Sequence, residues 1–352
     1  MNFTDKLKKV LCITISLCIT VLAVFCVYKR ASQVPQLSTD TALAAVFLTM
    51  PDGELENNYG DEKNVYKPKN SKPTQSVDKT EKKLSEAVVD SNEATYPIKE
   101  IDLSSNNKLY ENIAINNKTS FTVDPKELLK DGLPFEISDT REVQVLIVHT
   151  HTCESYMNSD SGFYYESFYP RTTDNEQNIS AVGQAVAQSL KENNIGVVHA
   201  TTQHDNPSYD GAYDRSFETI QSYLEKYPSI KVVLDIHRDS MTQEDMTRLK
   251  PTFTYNGEKA AQIMIMTGRD SSYTYFPFWE DNLKFALLLQ NTCESMYKGM
   301  TRPLNFGDFT YNMNANSGSL LIEVGTDANT LSEAVLSGKL LGNALSVVLQ
   351  NS

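Results

Sequence analysis

From Val10 to Tyr28 the chain reads VLCITISLCITVLAVFCVY, nineteen residues without a charge. A helix of that length can cross the hydrocarbon core of a bilayer. The run is apolar all round, unlike the one-sided helix of an ordinary soluble core. Lys6, Lys8 and Lys9 precede it and Lys29 and Arg30 follow it, so flanking charge orients it only slightly. It leads straight into Tyr28-Lys29-Arg30 with no small-residue cleavage site, which favours an uncleaved anchor over a signal peptide. The expectation is a cytoplasmic N-terminus at 1–9, a transmembrane helix at 10–28, and the rest outside the cytoplasm.

Beyond the anchor, residues 29–97 read as a polar stalk or linker. From Pro51 to Pro97 the stretch is rich in Asn, Lys, Ser, Asp, Glu and Pro. So few large apolar residues cannot offset the entropy of ordering the chain. Thr41 to Met50 (TALAAVFLTM) is a short apolar patch with no assignable role. A formal net charge of −13 argues against nucleic acid as a partner, because phosphate binding needs clustered Lys and Arg. Of five cysteines, three lie in the apolar run. Cys153 and Cys293 remain, too few for a disulfide framework. They are expected as free thiols rather than as a bridge, since most distant pairs fail the geometric requirement.

Residues 98–352 are expected to form the catalytic domain. Glu142–His149, Val197–His199, Ile230–Ile236, Ala261–Thr267 and Ser319–Val324 read as buried strands. Between them, helices are expected at Asn178–Asn193, with Gly196 at its exit, at Ser216–Tyr227 and at Glu280–Lys298. Thr330-Leu331-Ser332-Glu333 is a capping box opening the last helix. Strands alternating with helices predict an α/β fold with a mostly parallel sheet flanked by helices.

In open α/β sheets, ligands bind beyond the carboxyl ends of the strands. The first strand ends in His149-Thr150-His151-Thr152-Cys153-Glu154, and the third in Asp235-Ile236-His237-Arg238-Asp239. The fifth carries Glu323. Two neutral imidazoles, one carboxylate and an open position suit a catalytic zinc. His151, His237 and Glu154 are the candidate metal ligands. Glu323 is the candidate acid/base, because an unpartnered carboxylate in an apolar strand is costly; Arg238 joins it as a catalytic candidate able to pair with it. His149 shares a strand face with His151 and so is a second ligand or a supporting residue. His199 and His204 read as structural or exposed. Cys153 is a weaker, thiolate candidate. Phe276-Pro277-Phe278-Trp279 reads equally as groove or core.

Three stretches together resemble the stage II sporulation protein P family: Val145 to Tyr156, Val233 to Asp239, and Leu321 to Asn329. The resemblance covers about residues 100 to 352. It implies an amidase-like fold and a zinc N-acetylmuramoyl-L-alanine amidase of endospore formers that acts in engulfment, with endopeptidase activity on cross-links. It also implies a peptidoglycan substrate and, as partners, the stage II sporulation proteins D and M. By this resemblance His151 and His237 match zinc ligands and Glu323 the catalytic Glu. The broader zinc amidases take a ligand Glu from the start of the helix after the first strand, which leaves Asp174 and Glu176 as alternatives to Glu154. A stem-peptide metallopeptidase and a non-enzymatic wall-binding scaffold are the competing functions.

Overall fold

Strands buried on both faces read as near-continuous apolar runs; the runs above become strands, with the Val197–His199 run at a sheet edge and only partly buried. The computed structural model describes residues 93–137, 141–270 and 275–351. The helix expected at 10–28, the patch at 41–50 and most of the stalk lie outside the described residues. Among the described residues no helix is long and apolar enough to cross a membrane.

The main sheet has seven strands. Their order is β2 (Ile115–Asn117), β10 (Leu304–Gly307), β9 (Ile263–Gly268), β11 (Ser319–Thr326), β6 (Val232–Asp239), β3 (Val143–Val148) and β5 (Gly196–His199). Only the β9–β11 pair is antiparallel; every other neighbouring pair is parallel. The three strands carrying the sequence motifs, β3, β6 and β11, are adjacent and parallel. Their carboxyl ends therefore share one edge. The helices are α1 (Pro125–Leu128), α2 (Ile179–Glu192), α3 (Ala212–Lys226), α4 (Trp279–Met296) and α5 (Leu331–Gln350).

Strand alternation divides the core in two. Val145 and Ile147, Val232, Leu234 and Ile236, and Leu320, Ile322 and Val324 face one side, with side chains of α2, α4 and α5. Leu146, Val148 and Val233 face the other, against Ile220, Tyr223 and Leu224 of α3. The same alternation puts Asp235, His237 and Glu323 on the α3 side.

A second sheet of four strands was not legible beforehand: β4 (Phe163–Tyr165), β1 (Thr95–Ile101), β7 (Arg248–Tyr255) and β8 (Glu258–Ala261). β1 begins at Thr95, inside the stretch assigned to the stalk, because its strand partners lie more than sixty residues away in sequence. In β7, Lys250 is fully buried, with its Nζ 2.8 Å from both Asp160 and Glu333.

The ends of the helices follow local chemistry. The Asn178 side chain caps α2 by accepting from Ser180 N at 2.9 Å. Both halves of the expected Thr330–Glu333 capping box are present. Thr330→Ala is expected to cost about 1 kcal/mol, read as a lower urea midpoint with unchanged slope. Gly196 does not end α2 as expected; Asn194 takes the left-handed conformation there (φ 59°). Gly196 instead starts β5, where an added Cβ would lie 1.9 Å from the Glu142 carbonyl oxygen.

Candidate metal centre

β3 stops at Val148, so the two-residue periodicity that would align His149 with His151 ends there. The two imidazoles part. His149 is completely buried, and its Nδ1–H donates to the Ile236 carbonyl at 2.8 Å. Its Nε2 lies 2.8 Å from His199 Nε2. Gly183 of α2 leaves room for this pair: a Cβ would come within 2.5 Å of His149 Nε2. Burial, then the neighbouring His199, lowers the His149 pKa to about 3. His149 is thus a neutral supporting residue tied to the strand of His237. His204, expected as structural or exposed, is buried, bonding the His149 carbonyl at 2.7 Å and Thr219 Oγ1 at 2.9 Å.

His151 turns to the α3 side. Its ring stacks on Tyr209 (4.3 Å, 5°) and stands edge-on to His237 (5.2 Å, 90°). Burial, then His237, lowers its pKa to about 2, so the ring is neutral. Its Nδ1 is buried without a hydrogen-bond partner, an arrangement that costs stability unless something fills it.

His237 sits at the end of β6 among carboxylates. Glu154 Oε2 is 3.8 Å from its Nδ1. Asp235 Oδ1 is 2.9 Å from its Nε2, a close ionic contact that is off the N–H axis. Glu323 is its register partner on neighbouring β11. Burial alone would depress the His237 pKa, but Asp235, Glu154 and Glu323 outweigh it and hold a positive charge there. Asp235 is fixed in turn by Thr150, whose N–H and Oγ1 donate to it at 2.8 and 2.6 Å. Thr150 Oγ1 also meets Ser216 Oγ of α3 at 2.6 Å.

Glu154 is brought in by the loop after β3. Its carbonyl accepts from Ile179 N at 2.8 Å, and Ser155 N donates to the Pro170 carbonyl at 2.9 Å. Its Oε2 accepts from Arg238 N at 3.1 Å. Burial raises its pKa, opposed mainly by Arg238. The Arg238 guanidinium donates to the carbonyls of Ser155 (3.1 Å), Pro170 (3.1 Å) and Asp239 (3.3 Å). These bonds hold the Glu154 loop against the end of β6. Asp174 and Glu176, the alternative ligands, are exposed, and Asp174 accepts from Glu176 N at 3.0 Å in a local turn. Cys153 and Cys293 are both free and buried. Burial, then the Asp205 carboxylate, pushes the Cys153 thiol up to about 12, which does not suit a thiolate ligand. Phe276 is core and Phe278 partly exposed.

Among the described residues no three His, Cys, Asp or Glu side chains are already drawn together as a metal site. The donor chemistry of His151, His237 and Glu154 nevertheless fits zinc. A neutral buried imidazole has an unpartnered nitrogen. A second imidazole, ringed by three carboxylates, occupies a place that favours positive charge. Asp235 lies 2.9 Å from its Nε2, on the nitrogen away from Glu154, where a carboxylate commonly supports a metal-binding histidine. Asp235 was legible, two positions from His237 on the same strand face; Tyr209 and Tyr213 carried no sequence signal.

Fold and site together define an α/β protein with a two-histidine, carboxylate-rich centre at the carboxyl edge of parallel strands. The family model for stage II sporulation protein P matches residues 38–346, and the chain belongs to that family. Stage II sporulation protein P of Bacillus subtilis (strain 168) is 27% identical over 200 residues, 54% of this chain and 47% of the relative. The match thus spans about half the length of that curated relative. Solved structures with some likeness include the N-acetylmuramyl-L-alanine amidase Ami1 from Mycobacterium smegmatis (10% identity, 61% of this chain, 100% of that one, TM-score 0.36). Another is the CwlD amidase from Clostridioides difficile in complex with the GerS lipoprotein (11%, 59% and 97%, TM-score 0.37).

Proposed function

We propose that this protein is a zinc-dependent peptidoglycan hydrolase that cuts the amide between N-acetylmuramic acid and L-alanine. Its second activity is endopeptidase cleavage of cross-links, and its setting is engulfment during sporulation. The observation that carries the reading is the unpartnered Nδ1 of buried, neutral His151 beside His237 and Glu154. Family membership supports it.

In this reading His151, His237 and Glu154 hold the zinc. When bound, zinc supplies a Lewis acid for the amide carbonyl and acidifies the attacking water. Asp235 and Thr150 keep the His237 ring in position. Glu323 takes the proton of the water and returns it to the leaving amine. The apolar run at 10–28 anchors the chain in the cell membrane, with the catalytic domain outside the cytoplasm. Stage II sporulation proteins D and M are the proposed partners, and an acidic chain on an anionic wall gains from a partner that presents cut glycan.

Mass spectrometry of peptidoglycan digested by the full chain tests the bond assignment. Stem peptides with a free L-alanine amine are expected. Products cut only within the stem would make it a peptidase instead, and binding without products would make it a scaffold. Asp235→Asn is expected to weaken zinc binding about 10- to 100-fold, measured by competition with a chromophoric chelator.

A further inference from the structure

The polar side chains behind the cluster are engaged with one another, through Thr150, Ser216 and Asp235. Tyr213, in the first turn of α3, differs. Its ring lies nearly parallel to His237 (6.4 Å, 13°) and edge-on to His151 (5.4 Å, 86°). Its backbone carbonyl accepts from Ser216 Oγ at 3.0 Å and from Asn312 Nδ2 at 2.9 Å. Tyr213 is half-buried, its ring set against both imidazoles of the candidate centre.

A second observation concerns the backbone that holds this ring. Tyr311 (φ 39°) and Asn312 (φ 61°) are consecutive residues in the left-handed region, which bulky side chains rarely adopt. Such strain persists where the surroundings over-determine it, commonly at functional sites. Here it aims two groups at Tyr213: the Tyr311 ring packs on it at 5.4 Å, and Asn312 fixes its carbonyl. Asn312 Nδ2 also bonds Ser216 Oγ at 2.9 Å, joining the network that holds Asp235.

The geometry points to Tyr213 as a catalytic residue whose hydroxyl donates to the carbonyl oxygen of the scissile amide as charge builds there. The inference rests on the amidase reading above. Water adds to the carbonyl carbon and gives a proton to Glu323, and the carbonyl π pair moves onto the oxygen facing Tyr213 O–H. When that pair re-forms C=O, the C–N bond breaks. Glu323 returns the proton to nitrogen, leaving a carboxylic acid on the muramyl lactyl group and a free L-alanine amine. Tyr213 remains protonated throughout and only donates.

Tyr213→Phe keeps the ring and removes the hydroxyl. In the zinc-loaded full chain acting on a soluble muropeptide, kcat is expected to fall about 10²- to 10³-fold. KM should stay within about twofold. A phosphinate analogue of the muramyl–alanine amide, mimicking the charged oxygen, should bind weaker by a similar factor. Binding of intact muropeptide to the Glu323→Gln chain should be indifferent to Tyr213→Phe. The inference is overturned if kcat stays within about threefold of wild type, if phosphinate binding is unchanged, or if zinc is lost together with activity. A wild-type chain that frees no L-alanine amine would instead sink the amidase reading and this inference with it.

Discussion

Replacing Glu323 with Gln is expected to lower amide hydrolysis about 10²- to 10⁴-fold, with the fold and zinc content unchanged. Glu323 lies in β11 in register with His237 and is only 7% exposed. Alternation along β11 sends Leu320, Ile322 and Val324 into the core and Glu323 to the α3 side. A carboxylate there is close enough to the donor set to raise the His237 pKa. Gln preserves size and polarity but cannot take a proton at neutral pH. The check is kcat on a defined muropeptide together with the zinc content of the same preparation. Full turnover in the variant would remove Glu323 from proton transfer. Loss of zinc would move it into the ligand set.

His237→Ala carries the other large expectation: loss of zinc, loss of hydrolysis to background, and a less stable apo chain. His237 is 3% exposed and lies among Glu154, Asp235 and Glu323. The contacts with Asp235 and Glu154, at 2.9 and 3.8 Å, are made by its two ring nitrogens. Removing one partner of a buried charged pair leaves the other uncompensated, at about 3–5 kcal/mol. Urea unfolding of wild type and variant, both with chelator, measures that cost apart from zinc. Equal midpoints would mean that the carboxylates are satisfied without this imidazole.

Much of the site was legible because parallel strands buried on both faces leave long apolar runs whose polar ends stand out. His151, Glu154, His237 and Glu323 were singled out that way, and the strands that carry or precede them are adjacent and parallel. The separate fate of His149 was not legible, since it depends on β3 ending at Val148 and on a gap at Gly183 of α2. β7 was hidden for a related reason. A lysine in a buried strand contradicts its local pattern, and Lys250 is tolerated because Asp160 and Glu333 reach it from distant parts of the chain. Tyr213 was invisible because helical periodicity registers it only as one more aromatic residue. The role inferred for it depends on tertiary contacts, among them one with Asn312, 99 residues later.

The central claim is that His151, His237 and Glu154 form a zinc site on which hydrolysis depends. The most direct measurement strips the full chain with a chelator and titrates zinc back, following bound metal and freed L-alanine amine together. The account predicts one zinc per chain, hydrolysis returning in proportion to it, and neither in the His151→Ala or His237→Ala chains. Hydrolysis by the metal-free chain, or one zinc still held by both variants, would contradict it.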